Sequence, residues 1–155
     1  GDIGGRAYRR SMYTFWKRTA PPPGMAIFDA PTRETCTVRR LNTNTPLQAL
    51  VLLNDPQYLE ASRALAARMI KEGGKTAQER IGYAFRLATA RNISIAELKI
   101  LHEAFAREKK RFSRDPVAAV QFLAIGQQAS GVIDLAAYAV VASTILNLNE
   151  TITRQ

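Results

Sequence analysis

From about residue 44 onward, apolar positions recur at three- and four-residue intervals, as in helices that bury one face. TNTPLQALVLLN offers Thr45 as an N-cap and Pro46 as the first helical residue. Asp55–Pro56 repeats that device and opens DPQYLEASRALAARMIKEGG. In this segment Leu59, Ser62, Ala66, Met69 and Ile70 share a face, and Gly73 supplies a stop. QERIGYAFRLATA then sets Ile81, Phe85 and Ala88 on one side. SIAELKILHEAFAREKKRF begins with a capping box, Ser94 with Glu97, and carries Leu98, Leu101, Phe105 and Phe112 as its apolar stripe. Asp115–Pro116 opens DPVAAVQFLAIG. The last long segment, DLAAYAVVASTILNLN, is apolar on most faces, which predicts a central, largely enclosed helix. The shared Thr/Asp-Pro starts do not make a repeat, because spacing and content differ after each one.

Before residue 44 the periodicity fails. Glycines stand at positions 1, 4 and 5, followed by a PPP triplet and the pair Ala30–Pro31. Successive prolines fix φ and remove amide donors, so PPPG is expected to be extended or turn-like. AIFDAP and CTVRR read as short extended segments lying against a helical body. The predicted fold is all-α: a bundle of about six helices over residues 44–155, with an irregular, Pro-containing basic and aromatic arm over 1–43. The two together are expected to form one domain.

Composition adds bounds. At 155 residues, 46% hydrophobic and 23% charged, the chain is the size of an ordinary globular domain with a real core. The longest apolar-rich run, Val132 to Ile145, is interrupted by Asp134 and Ser143–Thr144, too short and too polar to span a bilayer. No charged segment leading into an apolar stretch and a small-residue cleavage site opens the chain. The single cysteine, Cys36, excludes an internal disulfide and reads as a small buried apolar residue. The net charge of +9 favours polyanions, and its density is highest in the arm.

Several chemistries lack parts. With one histidine, His102, and one cysteine, no HxxxH, CxxC or CxxCH exists, so neither a metal site nor a cofactor is expected. His102 reads as a surface or partly packed residue. No GxSxG elbow appears, and the glycines of GDIGG and EGGK do not form a phosphate loop. No catalytic residue is assigned. The candidate ligand contacts are in the arm, where Arg9, Arg10, Lys17, Arg18, Arg39 and Arg40 accompany Tyr13 and Trp16. Cations interleaved with aromatics can stack on bases or sugars while holding phosphate or sulfate. The same composition also suits a core edge, with Phe15, Trp16 and Phe28 buried as anchors and arginines reaching outward. Asp29 and Glu34 are weaker polar-site candidates, whose ordinary role would be pairing with Arg33, Arg39 or Arg40. Asn42, Asn44, Thr45, Gln48 and Asn54 fit the usual work of amides and hydroxyls at helix ends. REKKRF at 107–112 reads as a solvated helix face.

The ordered string YRRSMYTFWKRTAPPPGMAIFDAPTRETCTVRRLNTNTPLQALVLLNDPQYLEASRALA closely resembles the planctomycete-specific C-terminal domain of unknown function. RIGYAFRLATAR and the closing LNLNETITR are similar to it as well. The resemblance implies a setting in large proteins with an uncharacterised upstream domain and often a cytochrome-c-like domain. It also implies an extracytoplasmic location, periplasmic or secreted, and a chain that begins inside the family domain. It supplies no activity.

The expectation is therefore a non-catalytic interaction or scaffold module of a larger exported bacterial protein. Its partner would be a neighbouring domain of the same polypeptide or another protein. The alternatives are a binding module for an acidic polymer, sulfated polysaccharide ahead of nucleic acid, or the C-terminal part of an enzyme whose other domains lie upstream. In that last case Asp29, Glu34, Arg39 and Arg40 would be the contributors.

Overall fold

Five of the six longer helices begin where a side chain meets free amides; the sixth starts at Gly131 without a side-chain cap. In a computed structural model, which describes residues 14–17, 19–39, 43–123 and 131–153, eight helices appear among those residues: α1 (Pro23–Ile27), α2 (Pro46–Asn54), α3 (Pro56–Glu72), α4 (Ala77–Thr89), α5 (Ile95–Arg114), α6 (Pro116–Leu123), α7 (Val132–Leu146) and α8 (Asn149–Ile152). Thr45 Oγ1 accepts from the Gln48 amide at 3.3 Å while Gln48 Oε1 accepts from Thr45 N at 3.0 Å, a reciprocal capping box on α2. Asp55 caps α3 through Gln57 N, and Asp115 caps α6 through Ala118 N. Ser94–Glu97 caps α5 as the sequence predicts. A third capping box, Thr76–Glu79 on α4, stands in the sequence as TAQE and is not among the predicted signals.

The all-α prediction holds, with α2 to α7 as its six longer helices. The short α1 corrects the extended reading of PPPG. Pro22 is extended, but Pro23 opens a helix, where proline's missing N–H would have had no partner anyway. The turn that ends α1 puts Asp29 in a left-handed conformation, φ 56°. Ala30 N reaches back to Met25 O at 2.9 Å and Asp29 N to Ala26 O at 3.3 Å, the double closure of a Schellman motif with an acid where glycine is usual.

The chain divides into two compact units, Gly1–Gln48 and Ala49–Gln155, with the boundary inside α2. In the second unit, α7 is the enclosed helix the sequence anticipates. Eight of its residues, from Ala136 to Ile145, are buried, and α3, α4, α5 and α6 pack against it. Four of the eight are alanines (136, 137, 139 and 142), and Ala66 and Ser62 are buried on α3, so small side chains populate the packed surfaces. Larger groups fill the remaining space. Phe105 stacks on Tyr138 at 4.3 Å, and Phe112 meets Phe122 at 5.8 Å. The buried faces of α4 and α5 include Ile81, Phe85, Leu101, Phe105 and Phe112, close to the stripes read from sequence. Among the described residues, no helix is long and apolar enough to cross a membrane.

One residue departs from its predicted stripe. Glu108, inside the REKKRF run read as solvated, is buried on α5. Its carboxylate accepts from Arg111 at 2.9 Å and lies 3.5 Å from Arg107, so the charge is paired where the helix turns inward. The cations of that run, Arg107, Lys109, Lys110 and Arg111, are exposed as expected.

Candidate functional site

The first unit is organised by an amide. Gln48 is 1% exposed, and every polar atom of its side chain is engaged. Its Nε2 donates to Ile27 O at 2.8 Å and to Thr43 Oγ1 at 3.1 Å, and lies 3.5 Å from Asp29 Oδ2. Asp29 Oδ2 also accepts from Thr43 N at 2.8 Å and from the Thr43 hydroxyl at 2.7 Å. One amide and one carboxylate thus tie the end of α1 to the start of α2. Asp29, set out as a polar-site candidate, supplies structure here, and the sequence signal for it was only its place in an irregular stretch.

Of the remaining candidates, Trp16, Lys17, Glu34 and Arg39 are among the described residues. Trp16 is half-buried, with the Arg33 guanidinium 5.0 Å from its ring centroid. Arg33 itself has φ 63°. Lys17, Glu34 and Arg39 are exposed, and among the described residues no ion pair joins Glu34 to Arg33 or Arg39. Arg9, Arg10, Tyr13, Arg18, Arg40 and Asn42 lie outside the described residues. Two expectations are corrected. Phe15 is 83% exposed and so does not anchor the arm by burial, while Phe28 is only half-buried. Cys36 is exposed rather than buried, on a stretch without regular structure that also leaves Val38 fully exposed. Among the described residues of this unit only Gln48 is buried, and the bonds of Gln48 and Asp29 are polar, so apolar residue type is a poor guide to burial there.

The second unit contains a cleft of about 440 Å³ along α4. The loop entering α4 wraps a carboxylate. Glu79 Oε2 accepts from Lys75 N at 2.8 Å and Thr76 N at 2.9 Å. Those amides are therefore already committed to a side chain of the protein. Gly74, φ 99°, makes the wrap feasible, since a Cβ there would lie 2.7 Å from Glu79 Oε2. At one edge the Tyr83 hydroxyl donates to Glu72, and Arg68 Nη2 lies 3.0 Å from both the Glu72 carboxylate and the Tyr83 oxygen. The bond from Tyr83, then that from Arg68, holds the Glu72 carboxyl below its usual range; the same bond to Glu72 raises the Tyr83 phenol. Arg86 and Asn92 line the same cleft. None of these residues was singled out from the sequence. Their signal, a face of α4 at 79, 82, 83 and 86, becomes visible only once the helix is known to leave that face open.

What these features define is an all-α chain of two units, the first locked by an amide and the second by apolar packing. Among the described residues, no group of His, Cys, Asp and Glu could hold a metal ion. The family model described as PSD1: Protein of unknown function (DUF1553) matches residues 2–105, two thirds of the chain, and the chain belongs to that family. The match covers the arm and the helices as far as the middle of α5, so LNLNETITR at 146–154 lies beyond it. No curated protein and no solved structure matches the chain.

Proposed function

We propose that the chain is a non-catalytic interaction module of a larger exported bacterial protein, and that its partner is a neighbouring domain of the same polypeptide. The export and the multidomain setting rest on the family resemblance. The observation that carries the interaction reading is the outward display of Phe15 and Val38 in a unit whose own fold is fixed elsewhere, by Gln48 and Asp29. Large apolar side chains held in water beside cations suit the core and rim of a contact surface. Asp29 is occupied in the fold, which argues against an acid–base role for it.

Binding of an acidic polymer is the second reading, favoured by the exposed Lys17, Arg33 and Arg39 and the net charge of +9. Against it, Arg33 already covers one face of Trp16, which leaves the ring less surface for stacking. Calorimetric titration of the chain with the remaining domains of its natural polypeptide tests the first reading. The double change Phe15→Asp, Val38→Asp is expected to weaken that binding at least tenfold. If those changes have no effect, and a heparin-like polymer instead shifts Trp16 emission in a salt-sensitive way, the polymer reading replaces it.

A further inference from the structure

The α4 cleft is built from features that the fold does not require. Gly82 sits in the interior of α4, where glycine is less favourable than alanine because it orders a more flexible backbone. Packing does not demand it: a Cβ there would meet only Ile93 Cγ2, at an ordinary 3.8 Å. Its absence keeps the cleft floor open. One turn further along the same face, Arg86 is exposed, and among the described residues its guanidinium has no hydrogen-bond or ion-pair partner. The Asn92 side-chain amide lines the same cleft, likewise without a partner among the described residues. The same cleft is also lined by acceptors and a ring: the Glu72 carboxylate, oriented by Arg68, and Tyr83.

We propose that this cleft binds a hexuronate, a sugar carrying one carboxylate, either free or as a unit of an acidic polysaccharide. The Arg86 fork takes the carboxylate and Asn92 supports it, because a planar guanidinium matches a carboxylate with two parallel bonds. Glu72 accepts from ring hydroxyls. The open glycine floor lets the ring approach the α4 backbone, and the Tyr83 ring offers an apolar surface for the sugar's C–H face. A ligand bearing only negative charge would leave the Glu72 acceptor unused, and one bearing only hydroxyls would leave Arg86 unused; a hexuronate uses both. The cleft lies wholly within the second unit, so this inference is independent of the arm and of the function proposed above.

The test is amide-resolved NMR titration of the full chain with glucuronate and galacturonate, with glucose and sodium acetate as controls. Saturable shifts are expected at Gly82, Tyr83, Arg86 and Asn92, with at least one uronate binding tenfold or more tighter than either control. Arg86→Gln is expected to reduce the affinity at least tenfold without altering the melting temperature, since the residue is exposed and unpaired. Gly82→Leu, which fills the floor, should abolish the shifts with helix content retained. Equal binding of acetate would reduce the cleft to a general anion contact and overturn the assignment to a sugar. So would uronate binding that survives both substitutions, or the absence of saturable shifts at these four residues.

Discussion

The two units stabilise their chains by different physics. The second is held by surface removed from water: Phe85, Ile81, Met69, Phe112 and Tyr138 are nearly inaccessible, and the alanines of α7 are buried among their neighbours. The first is held by a satisfied polar centre, in which Gln48 and Asp29 gather the carbonyl of Ile27 and the donors of Thr43 and Thr45. Apolar packing spreads its energy over many interchangeable contacts. A polar hub concentrates it, because each buried donor or acceptor is costly if left unmatched. Damage to the first unit should therefore come from single atoms, and damage to the second from lost volume.

The largest effect is expected from Phe85→Ala. The ring is 1% exposed, and removing it leaves a cavity among helices that cannot close over it. A loss of about 3–5 kcal/mol is expected, read as a lower urea midpoint in far-ultraviolet circular dichroism. A loss below about 1 kcal/mol would mean that the core collapses freely around the site, against the close packing described.

Gln48→Leu sharpens the contrast from the other side. Leucine nearly preserves the volume but strands the Ile27 carbonyl and the Thr45 amide, at about 1–3 kcal/mol for each group denied water. Trp16 emission reports on the first unit and helical dichroism chiefly on the second, so the two signals can be followed in one urea titration. An earlier Trp16 transition is expected, with the helical one moving less. Coincident shifts would show that the units unfold together, and the distinction between them would then be one of chemistry only.

A pair of glycines gives a smaller effect of either sign. Gly73 ends α3 with φ −80°, so its need is space rather than a left-handed turn: a Cβ would lie 2.5 Å from Met69 O and 2.8 Å from Arg80 Cα. Gly73→Ala is expected to cost about 1–3 kcal/mol as the backbone shifts. Gly82→Ala should instead be neutral or stabilising by roughly 0.5–1 kcal/mol, since the added methyl meets only Ile93 Cγ2, in ordinary contact, and improves helix propensity. Thermal melts of both variants check the pair; equal losses would show that the α4 floor is packed after all.

These contrasts also explain what could be read from the chain. The helices of the second unit are legible because Asp55–Pro56, Ser94–Glu97 and Asp115–Pro116 act locally, and because the apolar period follows from packing on one face. Gly73 was legible as a stop, though its close contact with Arg80 depends on the path of the next helix. The arm was not legible in the same way. Gln48 reads as a helix-end amide, which it is, but its bonds to Ile27 and Asp29 span 21 and 19 residues and leave no periodic trace. Phe15 misled because residue type predicts burial only where a core is near. The cleft at Gly82 and Arg86 escaped because openness belongs to the assembled helices, not to any segment.

The smallest effect concerns a polar cluster within the apolar unit, and it tests whether charge adds to packing there. Arg91, just beyond α4, donates to Glu97 at 2.6 Å and to Glu150 at 2.7 and 2.8 Å, joining the start of α5 to α8. Its guanidinium also lies 4.6 Å from the Phe85 ring centroid. The bond from Arg91, then those from Ser94, depress the Glu97 carboxyl to about 2 from an ordinary 4.5, and the Arg91 bond lowers Glu150 as well. A carboxyl that binds its proton less readily when folded adds stability above its unfolded value. That contribution is lost as the pH falls from 4.5 towards 2, because protonation then favours the unfolded chain. The melting temperature should therefore drop across this window, and Glu97→Gln should make the drop shallower while lowering the melting temperature at neutral pH. These side chains are partly exposed, so concentrated salt, with a Debye length of about 3 Å at 1 M, should shrink the difference between the two proteins. A wild-type curve that runs parallel to that of Glu97→Gln from neutral pH down to 2 would show that the cluster is positioned by the helices it touches and contributes nothing to holding them.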